Sequence, residues 1–127
     1  MSFERTFASE SLLALSQDLL GVAGFDGRIQ EANPALERTL GFTLGDLRRL
    51  PLLDLIHPDD RESARAAFEQ SARTEANGAS LTNRCRCWDG AYKWLDWRLT
   101  ASPEKRVYYV AARDVTHQRA LHVELLQ

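Results

Sequence analysis

The chain has 127 residues, of which 44% are hydrophobic and 27% are charged, and its formal net charge at pH 7 is -2. This length suits one domain with one hydrophobic core, and the composition is that of a folded protein. The scattered basic residues argue against a nucleic-acid partner, and the short apolar runs exclude a membrane span or a signal peptide.

Residues 1–16 are predicted to form a leading amphipathic helix. Phe3, Phe7, Leu12 and Leu15 fall on one helical face, and the segment contains neither glycine nor proline. The apolar stripe of such a helix needs a surface that covers it.

Two short strands are predicted next, over residues 19–25 and 28–32. An Asp-Gly pair at 26–27 lies between the two apolar runs. This pair is typical of a tight hairpin turn, because glycine readily adopts the positive φ that the turn requires. The two strands are therefore expected to pair with each other.

Several helices are predicted in the middle of the chain. Asn33 and Pro34 suit the N-cap and the first position of a helix. Thr43 is expected to cap a second, short helix. The sequence His-Pro-Asp-Asp at 57–60 has an early proline and two first-turn acids, so it predicts the start of a longer helix that ends near Arg73.

The last third of the chain is predicted to be three strands and a helix. The strands cover residues 81–88, 91–101 and 107–114, and an Asp-Gly turn at 89–90 joins the first two. A trailing helix occupies residues 117–127. This order of elements predicts an α+β protein, in which helices cover one face of a five-stranded antiparallel sheet.

Four segments of the sequence, in this order, resemble the PAS sensory-domain family. They read FDGRIQEANPALERTLGFTLGDL, LLDLIHPDDR, NRCRCWDGAYKWLDWRLT and VYYVAARDVT, and they cover about residues 17–116, the expected core domain. The most similar subtype is common in bacterial sensor histidine kinases and diguanylate cyclases. The resemblance implies a sheet in the order 2-1-5-4-3 that cups helices around an internal pocket, with flanking terminal helices.

The resemblance also gives a role to Asp114 and Thr116. In the family, a D-x-T triplet ends the last strand and joins the core to the helix that leads to an output domain, here residues 117–127. We therefore expect these two residues to relay the signal. From the residues alone, a carboxylate and a hydroxyl at a strand–helix junction also suit a plain helix cap.

Strand alternation and the resemblance together predict which side chains line the pocket. Asn83 and Cys85 alternate with arginines along their strand, so they are expected to lie on its inner face. The full predicted lining is Val22, Leu40, Ile56, Phe68, Asn83, Cys85, Leu95, Tyr108, Val110 and Ala112.

No metal, haem or flavin is predicted, and an unidentified small ligand remains open. Cys85 and Cys87 are expected to be free thiols in a reducing cytoplasm. A CxC pair can respond to oxidants or bind a soft metal, but core packing is the commoner role of buried cysteine. His57 precedes the long helix on which haem-binding relatives carry their histidine, and the photoreactive cysteine motif of flavin-binding relatives is absent.

Two aromatic residues are predicted on the outer face of the sheet. Tyr92 and Trp94 lie on the face of their strand opposite Leu95, and exposed aromatics on a sheet need a cover. The leading helix, with Phe3 and Phe7, is the natural candidate, either from the same chain or from a partner. This pattern favours a homodimer.

The favoured function is a cytoplasmic sensory module of a larger bacterial signalling protein, with a kinase or cyclase output domain in the same chain. The fragment itself is expected to make no membrane contact, although its parent protein can be membrane-anchored. The alternatives are a ligand-free dimerisation module and, less favoured, a cone-shaped α+β isomerase or hydrolase. No phosphate-binding loop or nucleophile elbow is present, so no catalytic residue is predicted.

Overall fold

The structure is a computed structural model that describes residues 18–73 and 78–126. The predicted leading helix over residues 1–16, with Phe3 and Phe7, lies outside the described residues.

Five antiparallel strands form a sheet in the order β2-β1-β5-β4-β3. The strands are β1 (Leu19–Gly24), β2 (Ile29–Ala32), β3 (Ala79–Arg86), β4 (Tyr92–Ser102) and β5 (Val107–Asp114). The predicted α+β class and strand order are confirmed. Because β4 pairs with both β3 and β5, it connects the two halves of the sheet.

Helices fill the connection between β2 and β3 and follow β5. They are α1 (Pro34–Leu40), α2 (Leu44–Arg49), α3 (Leu52–Leu55), a 3-10 turn (Pro58–Asp60), α4 (Arg61–Arg73) and α5 (Thr116–Leu126). The predicted caps begin the first two, since the side chain of Asn33 accepts from the amide of Leu36 and Thr43 forms a capping box with Asp46. In the described part of the chain, no helix has the length and apolar composition needed to span a bilayer.

The core lies between the helices and the inner face of the sheet. Helix α4 packs across β3 and β4, while α1 packs against β1. Along β4, Leu95, Trp97 and Leu99 are buried, whereas the residues between them are exposed. This alternation separates an inner, helix-covered face from an outer face.

The connection from α4 into β3 ends at Gly78, which has a φ of +63°. An added Cβ at this position would overlap the carbonyl oxygen of Leu99 in β4. Glycine is therefore required here for two reasons, the left-handed backbone and the close approach of a neighbouring strand.

Candidate functional site

A small cavity lies between α4 and the inner faces of β3 and β4. Its volume is about 10 Å³, which is room for about one water molecule. The side chains that line it are those of Leu52, Ile56, Ala64, Phe68, Leu81, Asn83, Trp97 and Leu99. This region of the core is therefore closed to a ligand-sized molecule in this conformation.

Most of the side chains predicted to line a pocket do lie in this core. Ile56, Phe68 and Asn83 line the cavity. Others belong to the buried core without lining the cavity: Leu40, Cys85, Leu95, Tyr108, Val110 and Ala112. The inner face is thus packed by its own residues.

Val22 is the exception, and the prediction that it lies on the inner face is wrong. It pairs across β1 and β5 with Tyr109, whose side chain is 42% exposed on the outer face. The inner position next to it belongs to Gly21, where an added Cβ would lie 3.0 Å from the carbonyl oxygen of Glu31 and 3.4 Å from the core side chains of Leu36 and Val110. A glycine gives no hydrophobic signal, so the apolar pattern of this strand predicts an alternation that is one residue out of register.

A buried polar pair borders the cavity. The indole Nε1–H of Trp97 donates to Oδ1 of Asn83 at 2.8 Å, and both residues are 2% exposed. The hydrogen bond allows two polar groups to lie in an apolar core. The sequence predicts Asn83 on the inner face but does not predict its pairing with Trp97, because the two residues lie on different strands.

Cys85, in strand β3, and Cys87, which directly follows the end of that strand, are buried free thiols. Burial raises the pKa of the Cys85 thiol to about 12 and also raises the pKa of Cys87. The Cys87 Sγ contacts the carbonyl oxygen of Thr39 at 3.7 Å. Since the thiolate is the reactive form, both residues have the properties of packed core cysteines.

The folded chain is expected to resist alkylation at these cysteines. At pH 8 the thiolate fraction of Cys85 should be on the order of a thousandfold lower in the folded protein than in the unfolded chain, because burial disfavours the charged form. Iodoacetamide labelling, followed by tandem mass spectrometry, measures this difference with and without denaturant. Rapid labelling of Cys85 in the folded chain would contradict the packed-core assignment.

Asp60 and Arg84 join the start of α4 to strand β3. The Asp60 carboxylate accepts from the backbone N–H of Arg84 at 2.9 Å, from its Nε at 3.0 Å and from its Nη2 at 2.8 Å. These hydrogen bonds from Arg84 lower the pKa of Asp60. The preceding His57 is the N-cap of the 3-10 turn, with its Nδ1 accepting from the amide of Asp59 at 3.1 Å.

Removal of the Asp60 charge is expected to reduce stability at neutral pH. Because the folded pKa lies below the ordinary value of 3.8, the ionised carboxylate stabilises the folded state above that value, and this contribution disappears as the pH falls through the lowered pKa. Asp60→Asn should therefore be less stable than the parent at pH 7 and should lose less stability on further acidification. Urea unfolding at pH 7 and pH 3 measures both effects.

The matched control is Asp59→Asn, because the Asp59 side chain is 79% exposed and lies 4.0 Å from His57. Equal acid sensitivity of the two variants would rule out the assigned role of Asp60.

Asp114 and Thr116 form the junction between β5 and α5. Oδ1 of Asp114 accepts from the Thr116 backbone N–H at 3.0 Å and from its hydroxyl at 2.6 Å. The Thr116 Oγ1 accepts in turn from the backbone N–H of Trp94 at 2.9 Å, and the N–H of Val115 donates to the Trp94 carbonyl at 2.9 Å. The predicted cap thus ties the last helix to strand β4.

Tyr92 and Trp94 lie on the outer side of β4. Tyr92 is 40% exposed, and its ring centre lies 4.9 Å from that of His57. Trp94 is half-buried, with the guanidinium of Arg119 in α5 at 3.9 Å from its ring centre and that of Arg84 at 5.2 Å. Part of the cover over Trp94 therefore comes from two arginines.

Comparisons with known proteins identify the fold described above. A family model described as PAS fold matches residues 29–112. A PAS domain from a two-component sensor histidine kinase is 17% identical with a TM-score of 0.71, over 90% of this chain and 99% of that one. A PAS domain from Colwellia psychrerythraea is 17% identical with a TM-score of 0.77, over 89% and 98%. No curated protein matches the sequence significantly.

A solved structure with another printed role shares the same fold. The structure of an RNA-binding light-oxygen-voltage receptor is 23% identical with a TM-score of 0.69, over 95% of this chain and 36% of that one. At these identities the structural likeness concerns the fold.

Proposed function

Because this chain belongs to the PAS fold family, we propose that it is the sensory module of a larger bacterial signalling protein, in the first place a sensor histidine kinase. A small ligand or a protein partner favours one arrangement of sheet and helices, and the terminal helices pass this bias to a kinase or cyclase domain in the same chain. The domain itself performs no catalysis, and its location is cytoplasmic.

The junction at Asp114 and Thr116 is the observation that carries this proposal. Both hydrogen bonds from the junction to β4 involve the backbone of a single residue, Trp94. Since β4 lies between β3 and β5, a shift of the sheet relative to the helices alters the geometry at the start of α5. Helix α5, which we call the exit helix, is therefore connected through β4 to the sheet that lines the core.

Loss of this connection is the test of the proposal. In the full-length parent protein, Thr116→Val removes the hydroxyl that accepts from Trp94 and should uncouple the output activity from the input. Thr43→Val is the matched control, because Thr43 also begins a helix, and its hydroxyl accepts from the amide of Asp46 within α2. Unchanged regulation in Thr116→Val would refute the relay role.

The closed core favours a second candidate, a ligand-free dimerisation module. A cavity of about 10 Å³ holds no signalling metabolite, whereas Tyr92 and Tyr109 on the outer face are 40% and 42% exposed. In this alternative, two chains pack through their outer faces and leading helices. Native mass spectrometry separates the candidates: a co-purified small molecule supports the ligand sensor, and a ligand-free dimer that Tyr109→Glu dissociates supports the second.

The proposal includes neither haem nor flavin, and no nucleic-acid partner. An absorption spectrum of the purified chain tests the cofactor part directly. A band at visible wavelengths would overturn it.

A further inference from the structure

We infer that Trp94 couples the start of α4 to the exit helix through two arginines, in a chain of contacts that runs Asp60, Arg84, Trp94, Arg119, which we call the arginine–tryptophan ladder. The inference deepens the proposed relay function and rests on it for its biological meaning. Its physical content, a coupling between two helices on different sides of the sheet, stands on the contacts alone.

The first step of the ladder fixes Arg84. The side chains of Asp60 and Arg84 are 16% and 29% exposed, and the carboxylate binds both the guanidinium and the backbone amide of Arg84. A bidentate pair of this kind restricts the guanidinium to one orientation. Any displacement of the turn at Pro58–Asp60 therefore displaces both the side chain and the backbone of β3 at this point.

The second step connects Arg84 with Trp94. The two residues pair directly across strands β3 and β4, so their side chains lie on the same, outer face of the sheet. The guanidinium carbon lies 5.2 Å from the indole centre, within the range of a cation–π interaction. A change in the orientation that Asp60 imposes on Arg84 therefore changes the cation–π contact with the indole ring.

The third step reaches the exit helix. The guanidinium of Arg119, in the first turn of α5, lies 3.9 Å from the same indole centre. One aromatic ring therefore holds two cations, which repel each other unless one is neutralised. Asp60 neutralises Arg84, so the carboxylate at the start of α4 allows Arg119 to remain on the ring. Loss of the Asp60 charge should push Arg119, and with it α5, away from the sheet.

Amide hydrogen exchange of the 127-residue chain, resolved by NMR, tests the ladder. Asp60→Asn should accelerate exchange at the backbone amides of residues 119–121 by about two- to fivefold, the range that corresponds to the loss of an exposed cation–π contact. Asp59→Asn, with its exposed carboxylate, should leave these amides unchanged. Equal rates at residues 119–121 in the two variants would overturn the inference.

If Asp60→Asn unfolds the domain, the coupling is tested from the other end of the ladder, with a variant of Arg119. Arg119 is exposed, so Arg119→Gln should remain folded. It should accelerate exchange at the amide of Arg84, which donates to Asp60, by about twofold or more. An unchanged Arg84 amide would overturn the inference.

These outcomes are independent of the proposed function. The exchange experiment uses the isolated chain, so a failed ladder leaves the effect of Thr116→Val on output intact. If the exchange experiment shows the coupling but the parent protein has no regulated output, the coupling is real and has no role in signalling.

Discussion

Replacing Trp97 with alanine is expected to lower the free energy of unfolding by about 3–5 kcal/mol. Trp97 is 2% exposed and lines the small cavity beneath α4, so its loss leaves a void that the surrounding strands only partly refill. The substitution also removes the hydrogen-bond donor to Asn83, and an unsatisfied buried amide adds to the destabilisation. Urea unfolding at neutral pH measures the effect.

The same variant tests whether the closed core can become a binding pocket. The void in Trp97→Ala should admit an indole- or benzene-sized molecule, because apolar cavities of that size bind such ligands. Indole is therefore expected to raise the melting temperature of the variant and to leave that of the parent chain unchanged. An increase in the parent chain would show that its core opens in solution.

Trp88→Ala is the matched control for both experiments, because the Trp88 side chain is 70% exposed. Its stability should change by about 0.5 kcal/mol or less, as for most surface substitutions. Similar losses in the two variants would contradict the core assignment of Trp97.

Substituting Gly78 with alanine is the second change with a large expected effect. Alanine in the left-handed conformation costs about 1–2 kcal/mol, and the new Cβ would also overlap the carbonyl oxygen of Leu99. Because β4 must move or the connection must rearrange, the total destabilisation should exceed that of a strained turn alone by about 1–3 kcal/mol. Thermal and urea unfolding report the difference.

Gly90 offers the control for this prediction. It has a φ of +89°, but no atom lies within 4 Å of an added Cβ. Gly90→Ala therefore carries the backbone strain without the overlap and should be the milder variant. If the two alanine variants were equally stable, the close approach of β4 would have no energetic weight.

Local signals in the sequence account for most of the architecture. The Asp-Gly turns, the caps at Asn33 and Thr43 and the alternation along β4 and β5 each depend on neighbouring residues, and the observed β5 has the predicted bounds, Val107–Asp114. The error at Val22 has the same origin. Where Gly21 replaces an inward side chain, the alternation that marks the inner face is lost.

The contacts that define the candidate site could not be predicted in this way. Asp60 and Arg84 are 24 positions apart in the chain, and the acids at 59 and 60 look alike as first-turn residues. Which of them meets Arg84 depends on the exact rotation of the 3-10 turn against β3. The volume of the cavity also depends on how side chains from distant segments pack together, because a packed interior and a small pocket can differ by a few methyl groups.

The placement of the tryptophans gives the chain a built-in optical reporter. Trp97 is enclosed by the core, Trp88 is in water, and Trp94 lies beneath the guanidinium of Arg119 on the exit helix. The emission of an indole depends on the charges beside it, so a displacement of α5 should alter the fluorescence of Trp94 without any added label. The displacement of α5 that we propose as the output of this domain can therefore be followed over time by intrinsic tryptophan fluorescence.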